Sequence, residues 1–150
     1  MAATAVPTPP RTTRERDRGA MLIGKLARLT GRSVHTIRWY ESQRLMPGVR
    51  RDLQGRRIYA DGHVQWLELL ERLRRSGMSI RDLREYTGMA KRGASTLKES
   101  RELLQAHRRR IEASIRDLHE SLALIDAKVA FYDEWQRSGV KPPPLPKAKR

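Results

Sequence analysis

Between Ser33 and Tyr40 the chain reads Ser-Val-His-Thr-Ile-Arg-Trp-Tyr, and this stretch concentrates groups suited to gripping an anion. Arg38 carries a planar, permanently charged fork of donors that matches a phosphate or the edge of a guanine. Thr36 and Tyr40 add hydroxyls for phosphate oxygens. Val34, His35, Arg38 and Trp39 fall on the side that a short helix would turn toward base edges. Tyr40 also lies three residues from Ile37, a spacing that equally suits a core position, so both readings of its ring stand. A second basic cluster, Arg56, Arg57 and Tyr59, lies on a stretch with strand character. Residues alternate across a strand, so one of Arg56 and Arg57 should face a ligand and the other should not.

Other chemistries find little support. The 150 residues contain no Cys, which excludes disulfide staples, Cys-based zinc sites and thiol nucleophiles. His63, His107 and His119 are scattered, with no pair at metal-ligand spacing beside a carboxylate, and read as surface residues. No nucleophile–base pair, paired carboxylates or phosphate-cradling Gly loop is present, so the expectation is a protein that is not an enzyme and carries no cofactor or metal. No run of about 18 apolar residues occurs, which argues against a transmembrane helix.

Charge locates the partner. Lys and Arg number 32 against 17 Asp and Glu, a formal net charge of +15. The excess is local: within residues 21–60 nine basic residues face only two acids, Glu41 and Asp52. A basic surface of this kind points to a polyanion, most simply nucleic acid.

The elements that must position these groups follow from periodicity. Residues 1–20 show no apolar period and read as a disordered basic arm, with Met21 a candidate start of the chain. Leu22, Ile23, Leu26, Ala27 and Leu29 recur at helical spacing, Thr30-Gly31 breaks the pattern, and Ser33 can cap a second helix. Met46-Pro47-Gly48 ends that pair, and a two-strand wing is predicted over Val49–Leu53 and Arg56–Tyr59 with its turn at Gln54-Gly55. A third helix is predicted from Asp61 to about Ser76, with Trp66 read as packing, and a fourth from Ser79 to a stop at Gly88. From Leu97 onward an apolar residue returns every seven positions, with a second series four residues later. The seam runs through Leu104, Ile111, Ile115, Leu118, Leu122, Ile125 and Val129. Arg101 and Arg108 extend it as stems over the stripe, pairing with acids across a dimer. A helix over 96–137 would reach about 60 Å and needs another helix to cover it, most simply the same helix of a second chain. Gly139 and the prolines that follow end it, leaving 138–150 as a disordered basic tail.

The combination resembles the MerR family of HTH-type transcriptional regulators. The resemblance rests on Ile23-Gly24-Lys25-Leu26-Ala27, Thr30-Gly31, Ser33 through Glu41, Leu45-Met46-Pro47, Arg50-Arg51, Gly55 through Tyr59, and Arg74 through Ile80. It implies a mainly α fold: a winged helix-turn-helix DNA-binding domain over 21–89, then a long dimerisation helix forming an antiparallel coiled coil. In the family, positions matching His35, Thr36, Arg38, Trp39, Tyr40, Arg56, Arg57 and Tyr59 contact DNA, and Lys25, Ser33 and Val34 complete the candidate set here. The resemblance implies a cytoplasmic, nucleoid-associated homodimer on a pseudo-palindromic, double-stranded promoter, distorting the DNA and reaching RNA polymerase indirectly. The alternative from charge alone is a sequence-nonspecific architectural nucleic-acid-binding protein, and a coiled-coil module whose head binds protein is a third reading. His35, Trp39 and Arg44 depart from the family's usual Arg, Tyr and Gly. The last leaves a turn where Arg would be strained by about 1 kcal/mol if it turned left-handed. Branches that sense metals or thiols use Cys, and this chain resembles a branch without it.

Overall fold

Leu26, Ile37 and Tyr40 are fully buried, and they draw two short helices into one corner. The computed structural model describes residues 7–144. In it α2 (Ile23–Thr30) ends at Gly31, whose left-handed backbone (φ 64°) lets the Arg32 N–H reach back to the Ala27 carbonyl at 3.0 Å. α3 (Val34–Ser42) starts at once. Its cap is Ser33, whose Oγ accepts from the Thr36 N–H at 3.0 Å.

The chain leaves α3 through Arg44, which does adopt the left-handed conformation (φ 61°). The strain of about 1 kcal/mol is offset locally. The turn lets the Leu45 N–H bond the Tyr40 carbonyl at 3.0 Å and places Leu45 fully inside the core. The wing is a two-stranded antiparallel ribbon, β1 (Arg50–Arg51) and β2 (Arg57–Ile58), with Arg50 opposite Ile58 and Arg51 opposite Arg57. Met21 extends it by an isolated bridge to Tyr59.

α4 (Asp61–Arg75) supplies the centre of the core with Trp66, Leu67 and Leu70. Trp66 is packing, as its pattern suggested: its ring stacks on Tyr86 at 5.8 Å, and its indole N–H donates to the Leu45 carbonyl at 2.8 Å. α5 (Ile80–Arg92) is capped by Ser79 and runs past Gly88, which was expected to stop it. A mid-helix Gly costs about 1 kcal/mol. Burial of Met89 beyond it offsets that cost, and the helix closes only where Thr96 Oγ1 donates to the Met89 carbonyl at 2.7 Å. A 3-10 turn (Gly93–Thr96) leads into α6 (Leu97–Ser138), 42 residues long.

The chain divides into two units, the first ending at His107 and the second beginning at Arg108. Leu103 and Leu104 pack against the core cluster of the first unit, so Leu104, expected at the head of the seam, is half-buried against the core. Ile111 is half-buried, and the exposed seam begins at Ile115.

The arm differs from expectation. Residues 13–17 form α1 (Thr13–Asp17), opened by a Thr-x-x-Glu capping box that a reading based on charge passed over. The Glu15 N–H donates to Thr12 Oγ1 at 3.2 Å, and the Thr12 N–H donates to Glu15 Oε2 at 2.8 Å. Residues 1–6 of the expected arm and 145–150 of the expected tail lie outside the described residues.

Two histidines read as surface are buried. His107 takes part in a 2.8 Å hydrogen bond with Ser76 Oγ. His63 accepts the Ala60 N–H on Nδ1 at 2.8 Å and donates from Nε2 to the Pro47 carbonyl at 3.0 Å, so it binds α4's first turn to the chain before the wing. Nδ1, which accepts the Ala60 N–H, has no room for a proton of its own in this arrangement. Burial holds the imidazole below its ordinary pKa, although its bond to the Pro47 carbonyl and the charge of Glu41 oppose that. A His held low in the folded state binds fewer protons than in the unfolded chain. Its contribution is therefore present above the ordinary His pKa and is lost as pH falls through the folded-state value. Urea midpoints measured from pH 7 to pH 5 should fall for the wild-type chain and fall less for His63→Asn.

Candidate nucleic-acid interface

α3 sorts its side chains by face. Ile37 and Tyr40 point into the core, while His35, Arg38 and Ser42 recur at helical spacing on the exposed side. Ser33 Oγ lies 2.8 Å from Thr36 Oγ1, so both hydroxyls serve the helix start in addition to facing outward. Val34 is half-buried, and Lys25 is exposed on α2.

Glu41 joins this helix to the wing. Its Oε1 accepts from Arg57 Nε at 2.7 Å, and its Oε2 accepts from the Tyr59 hydroxyl at 3.1 Å. One carboxylate thus holds two wing residues. The Arg57 guanidinium is held above its ordinary pKa by the bond and charge of Glu41. The Tyr59 phenol is pushed up by burial first and by Glu41 second. Glu71 does the same on the other flank: it accepts from the Tyr40 hydroxyl at 2.8 Å and lies 3.6 Å from Arg32. Burial, reinforced by Glu71, raises the Tyr40 phenol to about 12. Of its two readings Tyr40 takes the core one, and Tyr59, which the resemblance implied as a DNA contact, is fully buried as well; both hydroxyls donate inward to carboxylates.

Asp52 organises the wing's turn. Its carboxylate accepts from the Arg56 N–H and from Arg56 Nε, each at 2.8 Å, and from the Gln54 N–H at 3.0 Å. Burial pushes this carboxyl up. The bonds and charge of Arg56, with the Gln54 N–H, outweigh burial and hold it below its ordinary range.

Arg38, Arg56 and Arg57 line one cleft together with Leu22, Ile23 and Gly55. Strand alternation suggested that only one of Arg56 and Arg57 would face this side. Both reach it because Arg56 belongs to the turn, just before β2. Arg56 and Arg57 each hold a carboxylate, and Arg38 is exposed beside them with its guanidinium committed to no carboxylate among the described residues. Trp39 is not among the residues lining this cleft: it is half-buried, edge-on to Tyr40 at 5.2 Å, with the Arg74 guanidinium 5.4 Å from its ring. Its ring packs against the core cluster and supports the helix. Among the described residues no cluster of His, Asp or Glu could hold a metal ion, and no helix is long and apolar enough to cross a membrane.

Glu41 and Glu71 were not singled out as site residues. Glu41 did carry a signal, since it is one of only two acids in 21–60, and both of those acids position wing arginines.

A winged helix-turn-helix with its free arginine at the helix–wing junction defines a DNA-binding regulator, and comparison with known proteins agrees. Residues 21–89 match the MerR HTH family regulatory protein family, and residues 64–128 match the family described as MerR, DNA binding. An uncharacterised HTH-type transcriptional regulator of Haemophilus influenzae is 34% identical over 115 residues, covering 77% of this chain and 85% of the relative. The HTH-type transcriptional regulator AdhR of Bacillus subtilis is 33% identical over 91 residues, 61% of this chain and 65% of AdhR. Among solved structures, HiNmlR, a MerR family regulator lacking the sensor domain and bound to promoter DNA, superposes with a TM-score of 0.68 at 32% identity, covering 80% of this chain and 95% of that one. A putative MerR family regulator from Listeria monocytogenes gives a TM-score of 0.71 at 31% identity, covering 75% and 86%. The chain belongs to the MerR family of HTH-type transcriptional regulators.

Replacing Glu41 by Gln keeps the volume and removes the charge that holds Arg57 and Tyr59. It should cost about 1–2 kcal/mol of stability in urea melts and speed amide exchange in β1 and β2, with little change in α5.

Proposed function

We propose that the chain regulates transcription as a homodimer that binds a pseudo-palindromic promoter in double-stranded DNA. The single observation that carries this reading is the cleft in which the helix residue Arg38 meets the wing residues Arg56 and Arg57. A helix and a wing presenting guanidiniums side by side suit a base edge flanked by phosphates. HiNmlR, which this chain resembles over most of its length, is bound to promoter DNA, and that supports the same role here. Lys25 and His35, exposed on α2 and α3, extend the contact, and Ser33, Val34 and Thr36 shape the helix start that approaches the groove.

The dimer would form through α6. Leu118 is 68% exposed and Ile125 57%, with Ile115, Leu122 and Val129 on the same seam, and an apolar stripe of this length calls for a second helix. In this reading two α6 helices pair antiparallel, each dimer carries two heads, and the promoter is bent and untwisted between them. Deformation of the DNA is then part of the switch, and RNA polymerase is affected indirectly, at the promoter. The site of action is cytoplasmic, at the nucleoid. In this reading the chain is not an enzyme, and the role needs no cofactor.

In vitro selection of bound sequences should yield one two-fold-related site. Uniform coverage in footprints would instead favour the sequence-nonspecific architectural reading. At fixed salt, Arg38→Ala should weaken binding to the selected site by at least about 1 kcal/mol, roughly fivefold. Unchanged affinity in a gel-shift titration would contradict the assignment. Leu118→Glu, which places a charge in the seam, should weaken self-association at least about a hundredfold in sedimentation equilibrium while leaving the head folded.

A further inference from the structure

The residues that precede the family match are built into the head. Pro9 and Pro10 are buried although they lie outside the core cluster, and the Asp61 N–H donates to the Arg18 carbonyl at 3.1 Å. The segment passes over three glycines, each in a different part of the head. A Cβ on Gly62, in α4's first turn, would stand 2.8 Å from Pro10 Cγ. A Cβ on Gly48, just before the wing, would stand 2.5 Å from the Pro10 carbonyl oxygen and would also meet the Arg16 side chain. A Cβ on Gly93, at the start of the turn into α6, would run into the Arg11 guanidinium.

Gly48 and Gly93 have positive φ and need glycine for their backbones alone. Gly62 does not. It sits inside a helix, where glycine is the weaker choice, and what its missing side chain leaves room for is Pro10. We propose that residues 9–18 form a strap that positions the wing. The strap holds the chain leading into β1 against the start of α4 and against the turn leading into α6, so that the cleft of Arg38, Arg56 and Arg57 keeps its shape. His63 already ties the Pro47 carbonyl to α4 from within. The strap closes the same junction from outside, at the neighbouring Gly48.

The consequence for affinity rests on the DNA-binding reading above, whereas docking of the strap does not. Both are tested in the full chain with charge-neutral substitutions, so that loss of the arm's arginines cannot mimic the effect. Gly62→Leu should dislodge the strap, and Pro10→Ser should loosen it without touching the core. Gly88→Ala, in open space on α5, is the control. Trypsin cleavage after Arg11, Arg14, Arg16 and Arg18 should accelerate at least tenfold in Gly62→Leu, and in the same direction but less in Pro10→Ser. Amide exchange should rise at Val49–Arg51 and Gly93–Thr96, and affinity for the selected DNA should fall at least threefold, with none of these changes in the control.

Wild-type cleavage as fast as that of Gly62→Leu would overturn docking. Faster cleavage with unchanged exchange at Val49–Arg51, or raised exchange with unchanged DNA affinity, would overturn the positioning role. If the wild-type chain selects no DNA at all, the DNA-binding reading fails, and cleavage and exchange still decide whether the strap holds the wing's base.

Discussion

The carboxylate of Glu41 is the contact on which the interface depends. A recognition helix and a wing are only two short pieces of chain, and a ribbon of two-residue strands cannot hold its own place in water. Glu41 fixes it from α3 through Arg57 and Tyr59, and Asp52 fixes its turn through Arg56. A region with nine basic residues would otherwise push its own wing away from its own helix. Placing the region's two acids at the two joints converts that repulsion into geometry. The same device recurs behind α3, where Glu71 gathers Arg32 and the Tyr40 hydroxyl.

Behind these joints stands a small core in which Trp66, His63 and Thr96 bond to backbone. The Trp66 indole reaches the Leu45 carbonyl, the His63 ring reaches Ala60 and Pro47, and Thr96 reaches Met89. Each bond pins a turn or a loop to a helix. The strained turn at Arg44 is tolerated for the same reason, because the bonds and the burial of Leu45 on either side leave it no alternative path.

Much of this was legible in the chain itself, wherever the cause is local. Periodicity placed the helices, Ser33 and Ser79 announced their caps, and Gln54-Gly55 announced the turn of the wing. What escaped has causes at long range. His63 looked like a surface residue because one of its partners, Pro47, is 16 positions away, and His107 because Ser76 is 31 away. The spacing of Tyr40 from Ile37 left its core position open, and that of Tyr59 went unsignalled, because a hydroxyl carries no sign of which carboxylate it will meet. Gly88 looked like a stop because the burial that carries the helix past it comes from Met89, whose environment is tertiary. The arm looked featureless because prolines and arginines show no period; its one local signal is the Thr12–Glu15 capping box, and its place on the head is set at long range by its landing sites, above all Gly62. Of the candidate contacts, the structure brings Arg38, Arg56 and Arg57 together and sets Trp39 apart.

The pairing of the wing arginines also changes how the interface should respond to ions. Counting cations in 21–60 suggests that many phosphates would be neutralised on binding, with a correspondingly steep fall of log affinity with log salt, about 0.9 per phosphate. Arg56 and Arg57 are already engaged, so a phosphate reaching them must compete with Asp52 and Glu41, and fewer counterions are released for each guanidinium that it meets. The salt dependence of binding would then be shallower than the composition implies, and more of the affinity that survives at high ionic strength would come from shape and from Arg38.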